Sequence, residues 1–441
     1  MLITPENNTN QNNENENVLI LQGGGSLGAF GCGVFKALAK NNIHLNIVAG
    51  TSIGGVNAAI IAGNRESNGL RAEEALEQFW LELAENSSRS SYPNLTFPFT
   101  NWFKGNYGFY NPLDPVSGFK FPSIFPSPLQ FSFNSENPKE GKKENNNSNN
   151  GKDDPHIYYL KSLFSFYKSA TFGNGKMFLP RWLPNYALSD PDYFKPYEWT
   201  YIYDHTPLLK TLDKYIDYSK LRPEGRPNAR LIITAVNVLT SEPLVFDSAK
   251  KQITPKHLLA TSGYPLYYFP WVEVEDNVYA WDGSLLSNTP LREVIEISPV
   301  IDKIVFLVEN YPKKMDKLPE NIQEVLHRAR DIMFSDKTAH NVKMSKVITH
   351  YLQFIDELYY IFENHADHSV LDKKKVQTIK NKYQKFKKQT GAEIKRIHYI
   401  TREETYPHYY ENADFTVETI KQSILDGETK TNEILKLNVC G

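Results

Sequence analysis

The first ordered pattern in this chain is Val18-Leu19-Ile20-Leu21, a short apolar run that stops at Gly23-Gly24-Gly25 and reads as a buried parallel strand followed by a turn. From Ala29 to Lys40 the apolar positions Phe30, Val34, Phe35 and Leu38 recur at helical spacing. Residues Ile43 to Val48 then alternate like a second strand ending at Ala49. A glycine-marked turn, Gly50 to Gly55, feeds a small apolar helix over Val56 to Ala62. Strand, turn, helix repeated twice in so short a stretch predicts the opening of an α/β sheet, because parallel strands need crossover helices. After a helix over Glu73–Leu83, regular strand patterns return at Leu231–Val236 and Ile304–Val308.

Between them, residues 86–203 are rich in Phe, Tyr, Trp and Pro with little period (Trp102-Phe103, Phe109-Tyr110, Phe119, Phe121, Phe125), and predict an inserted cap. Within it, 134–155 is crowded with Asn, Lys and Glu and reads as a disordered loop. Two apolar stripes, one from Ile322 to Met333 and one from Val347 to Phe362, predict long helices. Lys395 to Thr401 looks like a final strand, and a last helix falls near 415–436. The expected layout is a disordered tail over 1–17, a three-layer α/β domain with a mainly parallel sheet over 18–310, and a mostly helical extension over 311–441.

Composition narrows the function classes. The 441 residues are 40% hydrophobic and 13% aromatic, enough for a substantial core. Lys+Arg 49 against Asp+Glu 51 leaves a net charge of −2, which gives no footprint for nucleic acid. No apolar run reaches membrane-spanning length. The Asn- and Glu-rich start lacks the basic and apolar regions of a signal peptide, so a cytoplasmic location is expected. Cys32 and Cys440 are too few for a disulfide framework or a zinc site, and Cys32 belongs to an apolar helix. Neither metal nor cofactor is expected, and no residue pattern speaks to oligomeric state.

The first turn, Gly23-Gly24-Gly25-Ser26-Leu27-Gly28, fits G-x-G-x-x-G. Dinucleotide binding also needs an acidic residue about 20 positions on. No Asp or Glu occurs between Gly28 and Glu66. No Gly-Lys-Ser/Thr closes the turn, so a P-loop fails too. What remains is a loop of unencumbered N–H groups at a helix start, suited to anionic oxygen, including an oxyanion formed only in a transition state. The second turn, Gly50-Thr51-Ser52-Ile53-Gly54, is G-x-S-x-G between a strand and a helix, the setting of a nucleophile elbow. By itself the pentapeptide also fits an ordinary βα loop. Paired with the first turn, it puts a nucleophile beside oxyanion donors.

A serine nucleophile needs a base. His257, His327, His340, His350, His398 and His408 are candidates, and each is read as a surface or packed residue. Asp282, in Trp281-Asp282-Gly283-Ser284, ends an aromatic strand just before the helix entry Asn288-Thr289-Pro290-Leu291. An Asp-Gly pair is a common turn. It is also where an α/β sheet places reactive groups, and burial beside Trp281 would raise the carboxyl pKa toward that of a base.

In order along the chain, Gly23–Gly28, Gly50-Thr51-Ser52-Ile53-Gly54 and Asp282-Gly283 resemble the patatin-like phospholipases, as does Ala260-Thr261-Ser262-Gly263-Tyr264-Pro265 with Phe269-Pro270. The resemblance covers about 18–310 outside the aromatic insertion. It implies hydrolysis of lipid acyl esters by a Ser/Asp dyad without histidine. Ser52 would be the nucleophile and Asp282 the base, with Gly23, Gly24 and Gly25 forming the oxyanion hole and Gly28, Gly50, Gly54 and Gly283 as motif glycines. Leu27 stands where many members carry Arg or Lys, and Ser284 where Gly or Ala is commoner. Acyl transfer from the same serine, or a catalytically silent lipid-binding scaffold, are the alternatives. Lys373 to Thr390 holds eight lysines and no acid around a stripe of Val376, Ile379, Tyr383 and Phe386. It fits a peripheral contact with anionic membrane or a solvated face on a packed helix.

Overall fold

A computed structural model describes residues 15–437 except 67–68, 89–154, 299, 366–371, 391–392 and 405–407. The tail over 1–14 and the loop over 134–154 thus lie outside the described residues. In chain order the N-terminal part comprises β1 (Glu16–Leu21), α1 (Gly28–Lys40), β2 (Ile47–Thr51), α2 (Ile53–Ala62), α3 (Ala72–Ser88) and α4 (Pro155–Phe172). Next come β3 (Leu179–Pro180), β4 (Tyr203–Asp204), α5 (Pro207–Leu212), β5 (Arg230–Asn237), β6 (Pro243–Asp247) and α6 (Pro255–Ser262). They are followed by β7 (Val272–Glu275), β8 (Val278–Asp282), α7 (Leu291–Ile297) and β9 (Lys303–Glu309). The chain closes with α8 (Ile322–His365), α9 (Lys373–Thr390), β10 (Ile394–Thr401) and α10 (Val417–Leu437).

The central sheet runs β10-β9-β1-β2-β5-β8-β7, with β6 also paired to β5. From β10 to β5 every pairing is parallel, while β6, β7 and β8 join antiparallel. The fold is thus mixed α/β with a mostly parallel central sheet, as expected. Alternation along β1 explains the layers. Leu19 and Leu21 face a large core with α1, α2 and α3, whereas Val18 and Ile20 face a smaller one with Leu291 and Val294 of α7.

Several boundaries differ from expectation, and the two apolar stripes expected as separate helices form the single helix α8. Glu16 and Asn17 belong to β1 and not to the tail, because buried Lys303 pairs with Glu16 at 3.2 Å and Asn17 is bound by Asn46 and His44. Residues 43–46 are not strand, since the chain is still leaving the turn at Asn42, where φ is 55°. The turn expected over 50–55 contracts to Ser52 alone, with β2 running to Thr51 and α2 starting at Ile53. In the last third, β10 extends the sheet beyond β9 and α10 packs along α1, so both are built into the α/β core.

Candidate active site

Ser52 sits at φ 57°, ψ −134° between β2 and α2. That region is costly for a non-glycine residue and is the strained turn that lifts a hydroxyl above a sheet edge. The flanking glycines make it possible. A Cβ on Gly50 would lie 2.2 Å from the Gly54 backbone, and one on Gly54 would lie 2.2 Å from the Leu21 carbonyl. Strain is held by hydrogen bonds that motif reading missed. The Ser52 N–H donates to Thr261 Oγ1 at 3.0 Å, and that hydroxyl donates to the Thr234 carbonyl at 2.7 Å.

Register explains how Asp282 reaches this serine. In the β2–β5 pair Thr51 lies opposite Thr234, and in the β5–β8 pair Asp282 lies opposite Ala235. Ser52 and Asp282 therefore flank one row of β5. An antiparallel strand would ordinarily end at the opposite edge of the sheet. Here β8 overlaps only the end of β5, so its carboxyl end meets the carboxyl end of β2.

Asp282 is fully buried. Its Oδ1 accepts from the Ser284 N–H at 2.8 Å, while Oδ2 has no hydrogen-bond partner among the described residues. Burial pushes its pKa up to about 6, against the opposing pull of the Ser284 N–H and the Ser52 hydroxyl. The carboxylate is thus close enough to Ser52 to feel its hydroxyl, with Oδ2 left open.

The glycine loop faces the same serine. A Cβ on Gly23 would lie 2.9 Å from the Ser52 Cβ, and Gly24 and Gly25 hold φ of 149° and 60°. The three glycines are not equivalent. The Gly23 N–H is taken by Asn288 Oδ1 at 3.1 Å, whereas no such bond engages the N–H of Gly24 or Gly25 among the described residues. Asn310 Nδ2 holds the carbonyls of Gln22 and Gly23, each at 3.0 Å, and Gln22 Oε1 accepts from the Asn310 and Tyr311 amides. Gly28 begins α1, where a Cβ would strike Ile53 and Trp80, and Gly283 passes against the Thr234 backbone. Leu27 packs with Tyr264, Tyr311 and Phe334, an apolar setting that would penalise the cation found at this position elsewhere.

These features accompany a match of the patatin-like phospholipase family model to residues 19–295, more than half of the chain. The chain belongs to the patatin-like phospholipase family. Family membership carries lipid acyl hydrolase activity as its broad implication. No curated protein matches the chain. Among solved structures it is similar to VipD from Legionella pneumophila at 13% identity and a TM-score of 0.31, covering 96% of this chain and 67% of that one. It is also similar to a chain in the complex of full-length ExoU with full-length SpcU, from the type III secretion system of Pseudomonas aeruginosa. That match has 13% identity and a TM-score of 0.21, covering 71% of this chain and 47% of that one.

Several of the histidines are engaged in other contacts. His257 closes a capping box with Thr254 at the start of α6, and burial lowers its pKa to about 4. His398 stacks on Phe306, and His350 is exposed. The side chain of His340 lies outside the described residues. His205, absent from the expected candidates, is buried against the Leu259 carbonyl at 3.0 Å. His327 joins Asp331, Glu404 and Glu411, whose ligand-type atoms all lie within 4.8 Å of one another, the one such metal-type grouping among the described residues. Arg330 and Arg402 contact the same carboxylates. No described helix is long and apolar enough to cross a membrane.

Proposed function

We propose that this chain is a serine hydrolase of lipid acyl esters that works through a Ser52–Asp282 dyad. The observation that carries the reading is the shared β5 row, which sets a buried carboxylate with an open oxygen beside a strained serine. Asp282 takes the Ser52 proton as Oγ attacks the ester carbonyl. The tetrahedral oxyanion accepts from the N–H groups of Gly24 and Gly25. Gly23 serves differently from the sequence expectation, spacing the loop while its own N–H stays with Asn288. Collapse expels the alcohol, which leaves with the proton from Asp282. Water then enters, loses a proton to Asp282 and attacks the acyl-enzyme, and the proton returns to Ser52 as the acid departs.

The glycine loop lies in an apolar setting, which suits an acyl substrate. Leu27, Tyr264, Tyr311, Phe334 and Leu285 cluster next to the glycine loop. A fluorophosphonate reagent tests the reading. It should label Ser52 in the wild type and fail to label Ser52→Ala. Turnover on a short-chain acyl ester should fall at least a thousandfold in Ser52→Ala and in Asp282→Asn. Wild-type turnover in either folded variant would exclude the dyad.

A further inference from the structure

The family match ends at residue 295, and it leaves the contacts from residues 309–412 onto the glycine loop without an assigned role. The short turn Glu411–Ala413 sits directly on Gly25–Leu27. Ser26 Oγ donates to the Glu411 carbonyl at 2.7 Å, and a Cβ on Gly25 would lie 2.3 Å from the Asn412 carbonyl oxygen. Asn412 Nδ2 reaches across to the Tyr267 hydroxyl at 2.9 Å. A segment nearly four hundred residues downstream therefore forms the outer wall of the loop that aims Gly24 and Gly25.

Behind this turn the Glu411 side chain enters a buried ionic cluster. Arg330 and Arg402 both donate to its Oε1, and His327 Nε2 lies 3.3 Å from the same oxygen. Arg330 also binds Asp331, and Arg402 also binds Glu404. His327 lies 3.5 Å from Asp331 and 3.4 Å from Glu404. Burial works against charge on His327, but the carboxylates of Glu404 and Glu411 outweigh it and raise the pKa to about 9. The carboxyls of Asp331, Glu404 and Glu411 thus face two guanidiniums and the His327 ring, with burial raising the pKa of Asp331 and Glu404 while the surrounding cations hold that of Glu411 down. Arg402 Nε further donates to the Asn310 carbonyl at 2.9 Å, and Asn310 is the residue that holds the carbonyls of Gln22 and Gly23.

We propose that His327, Arg330, Asp331, Arg402, Glu404 and Glu411 are positioning residues for the reaction, clamping the Glu411–Ala413 turn onto the glycine loop and so fixing the direction of the Gly24 and Gly25 N–H groups. The proposal rests on the hydrolase reading above. The C-terminal third is then a working part of the active site. Holding six ionisable groups in a largely buried cluster costs more than apolar packing would, and it is explained by the directional hold such a network gives. Small errors in the aim of oxyanion donors are expensive in rate, since losing one donor costs about 10²–10³.

The test uses the full chain and a soluble p-nitrophenyl ester, with reactive sites counted by exhaustive fluorophosphonate titration. Ser52→Ala is the control for the hydrolase reading and is judged separately, by loss of labelling and turnover. Glu411→Gln removes the charge that anchors the turn. Ser26→Ala removes one contact between turn and loop without leaving a charge unpaired, so it reports even where Glu411→Gln does not fold. Each folded variant should lose kcat per reactive site, at least tenfold for Glu411→Gln and severalfold for Ser26→Ala, with KM within twofold of wild type. Wild-type kcat per site in either folded variant overturns the proposal. So does a rise in KM with unchanged kcat, which would assign the turn to substrate binding.

Discussion

The hydroxyl of Thr261 joins Ser52 to the sheet, accepting its N–H at 3.0 Å and donating to the Thr234 carbonyl at 2.7 Å. One buried side chain thereby satisfies both the strained serine and the strand β5 that lies between Ser52 and Asp282. Thr261→Val keeps the shape and removes both bonds. The variant should lose about 1–3 kcal/mol of stability, from two polar groups left without partners. Its kcat should fall roughly tenfold or more as the elbow relaxes. Thermal unfolding and ester turnover measured on the same preparation check both.

If Asp282 is the base proposed above, it links activity and stability with opposite signs. Its pKa is raised by burial to about 6, so the folded protein binds a proton more readily than the unfolded chain. Stability therefore declines as pH rises from about 4 to 6 and stays lower above it. Activity should behave in reverse, with kcat/KM on a soluble ester rising through pH about 6 as the base ionises. Asp282→Asn should be more stable than wild type at pH 8 by on the order of 1–3 kcal/mol and so unfold at a higher temperature. The gain should vanish near pH 4, where the wild-type carboxyl is already neutral. Equal melting temperatures of the two proteins at pH 8 would count against a buried charge at this position.

Much of this site is written in local signals. Ser52 and Gly25 lie in short glycine-marked segments, because a strained φ and a close backbone approach need glycines within a few residues. Asp282 could be singled out by the Asp-Gly at a strand end, but not by direction. A short run such as Val278–Asp282 carries no mark of pairing antiparallel to β5 with only a brief overlap. The unequal hydrogen-bond settings of Gly23, Gly24 and Gly25 were hidden for a related reason. They depend on Asn288 and Asn310, which approach from more than 260 residues away and carry no pattern of their own. The cluster around Glu411 was hidden most completely. Its members are scattered from 327 to 411, and His327 reads alone as an ordinary packed histidine.

Histidine variants separate a dyad from a triad. His257→Gln should lose about 1 kcal/mol of stability with the capping box yet keep kcat within about twofold. His398→Phe should do the same, because its ring serves to stack on Phe306. Loss of activity comparable to Ser52→Ala in a folded form of either would require a conventional triad. His327 is set apart from this comparison by its place in the cluster behind the Glu411 turn.

The turn after α6 carries an apolar rim beside the site. Leu266 is 62% exposed, Tyr268 58% and Trp271 40%, and Tyr268 is held at φ 63°. The rim is anchored on both sides. Asn412 binds the Tyr267 hydroxyl, and Trp271 packs edge-on to Trp281, the residue before Asp282. An enzyme acting on dissolved ester has no use for large apolar side chains displayed at this place. One acting at a lipid surface can bury them at the boundary of headgroups and acyl chains while its dyad faces the substrate. The double variant Leu266→Ser, Trp271→Ser should therefore retain kcat and KM on a soluble ester within about threefold. On phospholipid vesicles its rate at low lipid concentration should fall at least tenfold and recover in part as lipid is raised. An equal loss on both substrates would show that the rim supports the fold of the site and does not contact lipid.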